Sequence, residues 1–492
     1  MKSFSPTLCA YYFSAALLLA LAGCARSPGY KAPNVPTPAA WKAGQDSMVA
    51  GLAPTSQPPE APATLQQAPA APAWWALFND PELAAIEQQV VAQNFSLQAA
   101  AARVQEAGAN LRVANSYRMP LVSLDPQAYR TRLSALRPLP VTVDNGNRNL
   151  GVTQTQYYIP LNVSYELDVW GRIRSSVRAA SAEADATEAA QRAAHLLLTA
   201  DAAAYYFGLR GLDTELAVLD SARQGRAQSL QLTQARFKAG VDNEISVRRA
   251  ETELASVEAT FIETRRQRQG FEAALATLAG QPASTFRLVP RPTLLLAPPV
   301  PITVPANLLA RRPDLREAER QLAAANARID VARLTRLPTV RLNGFIGSQS
   351  AEFNGLTKID DSYTYYVAGV VSIPIFNGGR NRANQQVAEA QYNGLTAEYK
   401  QAALVAFQEV ETALANVQQS QQQVAAQQRA LRAARQAGQL TAERYRTGLT
   451  NYFEIVDADR QSLEAARLLV QAQANQLTYT VQLVRALGGT WE

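Results

Sequence analysis

Few residues of this sequence have the type and spacing needed for chemistry. His195 is the single histidine, and the two cysteines are Cys9 and Cys24. The sequence contains no nucleophile beside a histidine base, no glycine-rich phosphate loop and no metal-ligand spacing. His195 lies on an apolar helical seam with Leu198 and Tyr205, so we expect a packed side chain rather than a metal ligand. The sequence therefore predicts a protein that is not an enzyme and that needs no metal or cofactor.

A second group of polar residues follows Gly448, at the start of a predicted helix. Asp457, Asp459 and Arg460 lie there, and Phe453 precedes them by one turn. Acidic residues near a helix start are favoured by the helix dipole, which is one explanation of both aspartates.

The first two dozen residues have the features of a targeting segment. Lys2 precedes an apolar run that is too short to span a membrane as a mature helix. Leu21 to Cys24 resembles the processing box of bacterial lipoproteins, which would remove residues 1–23 and leave Cys24 acylated, with N-acyl and S-diacylglycerol groups. Ala25, in place of an aspartate, then favours the outer membrane. The alternative is an ordinary signal peptide with an incidental cysteine.

The residues after Cys24 are rich in proline and alanine. We expect residues 24–73 to form a lipid-anchored, extended tether without a packed core, and the ordered chain to begin near Trp74. Cys9 lies in the removed segment, so the mature chain has no partner for a disulfide. The net charge is only +6 and the charges are interspersed, which does not favour a nucleic-acid partner.

The rest of the sequence contains one structural unit twice, about 210–220 residues apart. Gly171-Arg172-Ile173-Arg174 returns as Gly379-Arg380-Asn381-Arg382, and residues 109–114 and 236–240 return at 327–332 and 444–448. We predict a first repeat at 74–290 and a second at 291–492, within one pseudo-symmetric assembly. The loop between the extended runs is longer in the first repeat by about ten residues, as surface loops tolerate.

Long helices dominate both repeats. Apolar residues recur at steps of three and four, as in Leu209, Leu212, Leu216 and Leu219, which predicts an antiparallel coiled-coil hairpin in each repeat. No proline interrupts residues 172–236, so a helix of roughly 60 residues, about 90–100 Å long, is possible. The turns of the two hairpins carry Gly240 and Gly448, which permit positive φ.

Each repeat also contains extended runs with one apolar and one polar face. Residues 159–167 and 365–375 alternate in this way, and we expect residues 121–133 and 339–348 to pair with them. The runs are long enough to cross a membrane, and Trp170, Tyr157, Tyr158 and Tyr365 lie near their ends, as interface aromatics do. Such open edges would have to pair with other copies of the chain. A soluble sheet against the helices is the alternative.

Several motifs now resemble one family. They are Ser164–Arg172 (SYELDVWGR) at a strand-to-helix junction, Arg311–Glu319 (RRPDLREAE), Ile375–Arg380 (IFNGGR) and Ala406–Glu411 (AFQEVE). With these motifs the chain resembles the TolC-like outer membrane factors, and more closely their NodT-type lipoprotein branch, which serves resistance-nodulation-division (RND) efflux systems. The resemblance runs from Trp74 to Gly489.

The resemblance implies an α+β membrane protein with the tandem-repeat outer membrane factor fold. Four transmembrane β-strands per chain would form a 12-stranded β-barrel in a homotrimer, continued by a long α-helical coiled-coil barrel into the periplasm. The protein would be the passive exit duct of a tripartite efflux pump in the cell outer membrane. Its partners would be a periplasmic membrane fusion (adaptor) protein, an inner-membrane RND transporter and outer membrane lipids.

The resemblance also assigns roles to the residues after Gly448. Asp457 would line a constriction, Arg460 would help to hold the closed form, and Phe453 would form a second narrow ring. Asp459 is an additional acid, so which aspartate faces the axis stays open. Gly240 and Gly448 would lie at the periplasmic entrance, where the adaptor makes contact. The aligned positions of the first repeat carry no acid: Ile245, Arg249 and Thr252.

Other functions stay possible from the sequence. A duct for type I protein secretion would use the same architecture. A lipid-anchored periplasmic coiled-coil adaptor or scaffold without a pore would share the helices but not the duplicated hairpins and strands.

Overall fold

The duplication appears in the structure as pairs of helices with equal lengths. The computed structural model describes residues 30–38, 41, 73–134, 152–300, 311–447 and 449–489. Cys24, most of the tether and Gly448 lie outside these residues, so the signal-peptide, acylation and second-glycine assignments stay predictions. The repeat boundaries at 290 and 291 likewise stay a prediction.

In chain order the helices are α1 Pro81–Gln93, α2 Phe95–Ser116, α3 Arg172–Lys238, α4 Glu244–Leu278, α5 Pro313–Leu334, α6 Ile359–Ser362, α7 Arg380–Arg446 and α8 Tyr452–Ala486. Helices α3 and α7 each have 67 residues, and α4 and α8 each have 35. The uninterrupted helix predicted over 172–236 is therefore confirmed. Among the described residues, no helix combines the length and the apolar composition needed to cross a bilayer.

The spacing between the repeats changes at the strands. Helix α5 begins at residue 313 and α2 at 95, a separation of 218, whereas α7 begins at 380 and α3 at 172, a separation of 208. The difference of ten residues lies in the strand region of the first repeat, as predicted.

The strands form one antiparallel sheet. They are β1 Leu121–Leu124, β2 Gln127–Leu133, β3 Val152–Leu167, β4 Thr339–Ser350 and β5 Tyr363–Ser372. Strands β1 and β2 both pair with β3, which pairs with β4, which pairs with β5. The run predicted over 121–133 is divided because Pro126 lacks the N–H that a strand needs for its ladder. Strand β5 ends at Ser372, before the predicted 375, because its partner β4 begins only at Thr339 after Pro338.

The register assembles an apolar face and a polar face. Leu161 lies opposite Ile346, which lies opposite Tyr365, and Tyr157 is on the same face of β3 as Leu161. Tyr158 points to the other face, where its ring centre is 5.5 Å from that of Phe345. Tyr157 and Tyr158 were predicted as one aromatic group, but alternation places them on opposite faces.

Trp170 lies beyond the end of β3, as predicted. Its indole Nε1–H donates a hydrogen bond of 2.6 Å to the Pro338 carbonyl oxygen, just before β4. The side chain therefore joins the end of one repeat's strand to the start of the other repeat's strand.

Contact grouping divides the described chain into two units, and each unit takes segments from both repeats. One unit contains the sheet, with residues 30–33, 105–134, 152–185 and 319–397; the other contains the remaining described residues. Of the predicted seam, Leu209 and Leu219 are fully buried in the second unit, whereas Leu212 and Leu216 are only partly buried.

A buried network of charged residues joins α3, α4 and the segment after α4 in this second unit. The Asp213 carboxylate accepts hydrogen bonds of 2.6 Å from Arg210 and 2.5 Å from Arg268. Asp80 accepts from the Tyr206 hydroxyl at 2.7 Å and from Arg291 at 2.6 Å. Burial acts to raise the pKa of Asp80, but these hydrogen bonds outweigh it and the pKa is lowered.

Part of the predicted tether is packed rather than free. Val35 and Trp41 are each only 6% exposed, and the Trp41 ring centre is 6.2 Å from that of Phe407 on α7. The Pro-rich composition prevents regular secondary structure, but single apolar side chains from an extended chain can still insert between helices. The ordered chain therefore begins well before Trp74, contrary to the prediction.

Helix α1 contains a buried carboxyl group. Glu87 is fully buried beside Leu83 and Val90, and neither of its carboxyl oxygens has a hydrogen-bond partner among the described residues. Burial raises the pKa of Glu87 to about 9. The group is therefore protonated in the folded chain at neutral pH, because an unpaired carboxylate could not be accommodated there.

Replacing Trp41 should loosen the docked segment. We expect Trp41→Ala to lower the thermal unfolding midpoint and to expose residues 30–41 to proteolysis, since it removes a buried aromatic side chain worth about 3–5 kcal/mol in a fully packed site. Thr37→Ala, at an exposed position of the same segment, is the matched control and should change neither. Equal protease sensitivity of the two variants would contradict the docking.

Stability should depend on pH through Glu87. Its pKa is about 9 when folded and 4.5 in the unfolded reference, so the folded chain holds a proton that the unfolded chain loses between these values. Because the folded state binds more protons, its stability is fully present below pH 4.5 and declines as pH rises towards 9. We expect Glu87→Gln to reduce this decline, measured as thermal midpoints at pH 5 and 8. If the thermal midpoint of Glu87→Gln depended on pH as strongly as that of the wild type, the decline would not come from Glu87.

Candidate gate at the helix turns

The first helix hairpin turns at Gly240. After α3 ends at Lys238, Gly240 adopts φ +74°, and the Val241 N–H donates to the Arg236 carbonyl oxygen at 2.9 Å. This is the C-terminal closure that favours glycine, because a side chain there would be strained. Asn243 then caps α4 by accepting a 3.0 Å hydrogen bond from the Ser246 N–H. The predicted backbone role of Gly240 is present.

The second hairpin has the same capping pattern. The Leu449 N–H donates to the Arg444 carbonyl oxygen at 2.8 Å, as Val241 does in the first hairpin. Asn451 caps α8 by accepting from the Glu454 N–H at 3.3 Å. The start of α8 is therefore fixed, and α8 carries Phe453, Asp457, Asp459 and Arg460.

Phe453 is the apolar member of this group. It is 56% exposed, and the Arg249 guanidinium of α4 lies 5.0 Å from its ring centre. Arg249 and its neighbour Ile245 occupy positions that align with Asp457 and Phe453, and they line a shallow hollow of about 310 Å³. Cation–π contact of this kind is worth about 0.5–1 kcal/mol at an exposed site, so it positions the ring only weakly.

The two aspartates have different surroundings. Asp457 is exposed and accepts a hydrogen bond of 2.8 Å from Gln461 on the next turn of α8. The pKa of Asp459 is raised because nearby protein partly desolvates its carboxyl group, although the residue as a whole is exposed, and the Arg226 charge opposes the rise. Asp457 is thus the more freely hydrated of the two.

Arg460 connects the two hairpins. Its guanidinium donates to the Glu253 carboxylate of α4, a contact that raises the pKa of Arg460. The same carboxylate pairs with Arg226 of α3 at 2.9 Å. Glu253 has 7% of its side chain exposed and Arg226 has 13%, whereas Arg460 has 59%. One buried carboxylate therefore binds a largely buried arginine of its own hairpin and an exposed arginine of the other.

Further contacts join the hairpins close to the turns. The hydroxyls of Ser229 on α3 and Tyr452 on α8 are 2.9 Å apart. The Arg236 guanidinium lies 5.3 Å from the ring centre of Tyr445, whose ring faces Tyr452 at 6.4 Å. These contacts are polar or aromatic, and none of them is packing between aliphatic side chains.

The sequence prediction did not include Glu253, Arg226, Arg249 or Tyr452. Glu253 could have been found, because it lies between Ala250 and Val257 on the buried seam of α4, where an acid needs a cationic partner. Arg226 and Tyr452 could not, since nothing in the order of residues assigns partners on another helix. In the part of the chain that the structure describes, no group of His, Cys, Asp and Glu residues could hold a metal ion.

Known proteins match this chain over most of its length. The family model described as outer membrane efflux protein matches residues 86–281 and 304–489. The solvent efflux pump outer membrane protein SrpC of Pseudomonas putida is 33% identical over 477 residues, which cover 96% of this chain and 97% of that protein. The cation efflux system protein CusC of Escherichia coli is 28% identical over 479 residues, with 96% and 97% covered.

A solved structure agrees with the fold. The outer-membrane channel OprN superposes with a TM-score of 0.84 at 28% identity, covering 95% of this chain and all of that one. The predicted tandem-repeat outer membrane factor fold is therefore confirmed.

The shared carboxylate can be tested by stability. Glu253→Gln removes the carboxylate charge that pairs directly with the largely buried Arg226 and leaves Asp459 as the remaining acid that acts on it, so we expect the free energy of unfolding to fall by about 1–3 kcal/mol. Glu251→Gln is the matched control on α4, because its exposed pair with Arg248 should be worth under about 0.5 kcal/mol. The measurement is chemical unfolding of the mature protein in detergent. Equal losses in the free energy of unfolding would contradict a stabilising role that is specific to Glu253.

Proposed function

This chain belongs to the outer membrane efflux protein family, and we propose that it is a gated exit duct whose constriction lies at the helix turns. Family membership gives the role of outer membrane component in a tripartite efflux pump. The observation that carries the gate proposal is the Arg460–Glu253 contact, which ties α8 of one hairpin to α4 of the other. The predicted gate residue Arg460 thereby acquires a specific partner.

The strength of this contact suits a gate. Arg460 is 59% exposed, so its pair with Glu253 is worth about 0–1 kcal/mol rather than the several kcal/mol of a buried network. Three copies in a homotrimer would contribute about 3 kcal/mol at most. An adaptor that binds the open form about a thousandfold better than the closed form would supply about 4 kcal/mol, which exceeds the sum of the three contacts.

Phe453 and Asp457 act as the barrier in this proposal. Both are exposed on the α8 surface within one chain, so they are available to meet their equivalents around a shared axis. Three carboxylates at one level repel each other and attract cations, while three phenyl rings exclude water. Movement of α8 away from α4 would separate Arg460 from Glu253 and withdraw Phe453 from Arg249 in the same step.

The remaining partners follow from the position of the turns. We assign the Gly240 and Gly448 turns to the contact with the periplasmic adaptor, which links this duct to an inner-membrane RND transporter. Val241 and Leu449, one residue after each glycine, are 67% and 70% exposed. Apolar side chains at both turns offer a surface that a helical partner can bury.

The lengths of the N-terminal segment support a lipid anchor on Cys24. Tyr30 is the sixth residue after Cys24, so a fully extended chain between them reaches about 20 Å. Tyr30 donates to the Glu319 carbonyl oxygen of α5 at 3.3 Å. From Glu319, α5 continues to Leu334, a distance of about 22 Å, and β4 follows. An acyl chain on Cys24 can thus reach the level of the strand ends, where the inner leaflet of the outer membrane would lie.

The class of transported compound is inferred from the relatives. The names of matching proteins specify solvent, toluene, pyoverdine and cation efflux. We propose that this chain conducts drugs or other small toxic compounds, with the transporter and adaptor selecting among them. Nothing in the described turns resembles a binding pocket for one compound, since the hollow near Arg249 is shallow and open.

Conductance of the purified mature protein in planar bilayers tests the gate. We expect small, cation-preferring steps for the wild type and larger or more frequent openings for Phe453→Ala, Asp457→Ala and Arg460→Ala. Asp457→Ala should also reduce cation preference, because it removes the ring of charge. Glu258→Gln, at an exposed position of α4 away from the turn, is the control.

The outcomes separate the pore from its gate. Conductance equal in all variants would place the constriction elsewhere and leave the duct intact. No conductance from any of them, in protein shown to be folded and trimeric, would overturn the duct itself.

A further inference from the structure

The polar face of the sheet also carries aromatic side chains. Alternation places Ser164 and Glu166 of β3 on this face, with their partners Asn343 and Arg341 on β4. The Ser164 hydroxyl donates a hydrogen bond of 3.0 Å to Asn343, and the Arg341 guanidinium is 3.7 Å from the Glu166 carboxylate. Phe345 lies on the same face of β4, two residues after Asn343, and interrupts this polar pattern.

Phe345 contacts an aromatic ring on each neighbouring strand. It lies directly opposite Tyr366 of β5, and their ring centres are 5.8 Å apart with the ring planes inclined by only 23°. On β3, the ring centre of Tyr158 is 5.5 Å from that of Phe345, at an interplanar angle of 85°. Stacked and edge-to-face contacts are the arrangements that aromatic pairs prefer. Tyr158, Phe345 and Tyr366 are called the aromatic band below.

The register of β3 and β4 explains how Tyr158 and Phe345 meet. The row of the same face that lies between them contains Pro160 opposite Gly347. Gly347 has no side chain, and β3 is so close that a Cβ there would lie 2.1 Å from the Ile159 carbonyl oxygen. No long side chain therefore separates the two rings, and the aromatic band continues across three strands.

The two tyrosines of the aromatic band occupy equivalent positions in the two repeats. Gln127 of β2 lies opposite Tyr158 of β3. Moving these positions by the separations of 218 and 208 residues gives Phe345 and Tyr366, which lie opposite each other in β4 and β5. Each repeat therefore supplies a tyrosine at the same place in its strands. Under this pseudo-symmetry, a homotrimer would place six tyrosines at one level of the wall.

The aromatic band is accessible from the space that the polar face lines. Tyr366 is 50% exposed, and Tyr158 and Phe345 are half-buried. Tyr366 stacks on Phe345 through one face of its ring, and no other aromatic ring of the described residues stacks on it. A flat ring that approaches from the polar face can therefore extend the stack of Phe345 and Tyr366.

We propose that the aromatic band is a stacking site for planar aromatic compounds on the inner wall of the strand barrel. The inference rests on the proposed duct, because the polar face lines the lumen only where the apolar face meets lipid. Stacking uses the π-face of a ring and tolerates different substituents. The band therefore retains planar aromatic cargo as a class during passage and does not select one compound.

Single-channel conductance with two added cations tests the aromatic band. Ethidium is a planar aromatic cation, and tetrabutylammonium is a non-aromatic cation of the same charge, so the comparison isolates the effect of the flat rings. Each is added on the side of the strands, from which it reaches the band without passing the gate. We expect ethidium to cause transient reductions in current that last about tenfold longer than those caused by tetrabutylammonium.

Variants of the band identify the rings that act. Phe345→Leu and Tyr366→Leu keep an apolar side chain but remove a ring, so each should shorten the ethidium events about tenfold and leave the tetrabutylammonium events unchanged. Tyr365→Leu is the matched control, because Tyr365 is the neighbour of Tyr366 in β5 and lies on the apolar face. It should change neither.

The outcomes distinguish the aromatic band from the duct. Wild-type ethidium events no longer than those of tetrabutylammonium overturn the band without any variant. Ethidium events that are equal in the wild type, Phe345→Leu and Tyr366→Leu, or that Tyr365→Leu shortens to the same extent, also overturn it and leave the duct standing. Absence of conductance from the wild type, in protein shown to be folded and trimeric, overturns the duct on which the band depends.

Discussion

The unpaired backbone of the sheet edges is the constraint on which the rest of the molecule depends. Among the described strands, β1 and β2 pair only with β3, and β5 pairs only with β4, so each edge presents a row of N–H and C=O groups. In hydrocarbon, every such group left without a partner costs several kcal/mol. In the proposed duct, the sheet is therefore complete only when copies meet edge to edge. The helices continue directly from the strands, so the closure of the sheet also determines which helices become neighbours.

Local stability decreases from the buried network of charged residues around Asp213 towards the helix turns. Asp213 is fully enclosed between Arg210 and Arg268, and removing one member of such a group strands a buried charge. Near the turns the hairpins meet through hydroxyls, aromatic rings and the partly exposed Arg460. Regions with few buried apolar contacts open at low free energy, while a well-packed region stays closed. The same helices can therefore be rigid near Asp213 and more easily displaced near the turns.

Much of the fold follows from local patterns in the sequence. Apolar spacing and the lack of proline predicted the long helices, and alternation predicted which runs pair as strands. The local order of residues determines these features, because the spacing of apolar residues and the presence of proline or glycine act over only a few residues. Arg226 and Tyr452 were missed because their partners lie on other helices, whereas the position of Glu253 on the buried seam of α4 could have revealed it. The packing of Trp41 was missed for the same reason, since a proline-rich composition reports on secondary structure and not on where a single side chain inserts.

The equal lengths of the paired helices restrict how this chain can change over generations. A deletion in α3 would shift the turn at Gly240 relative to the turn of the second hairpin and would move Glu253 out of reach of Arg460. Only a matched deletion in α3, α4, α7 and α8, in multiples of seven residues, would preserve both the seams and the level of the turns. Viable length variation should therefore accumulate in the strand connections and the proline-rich segment, and the four hairpin helices should keep a nearly constant length.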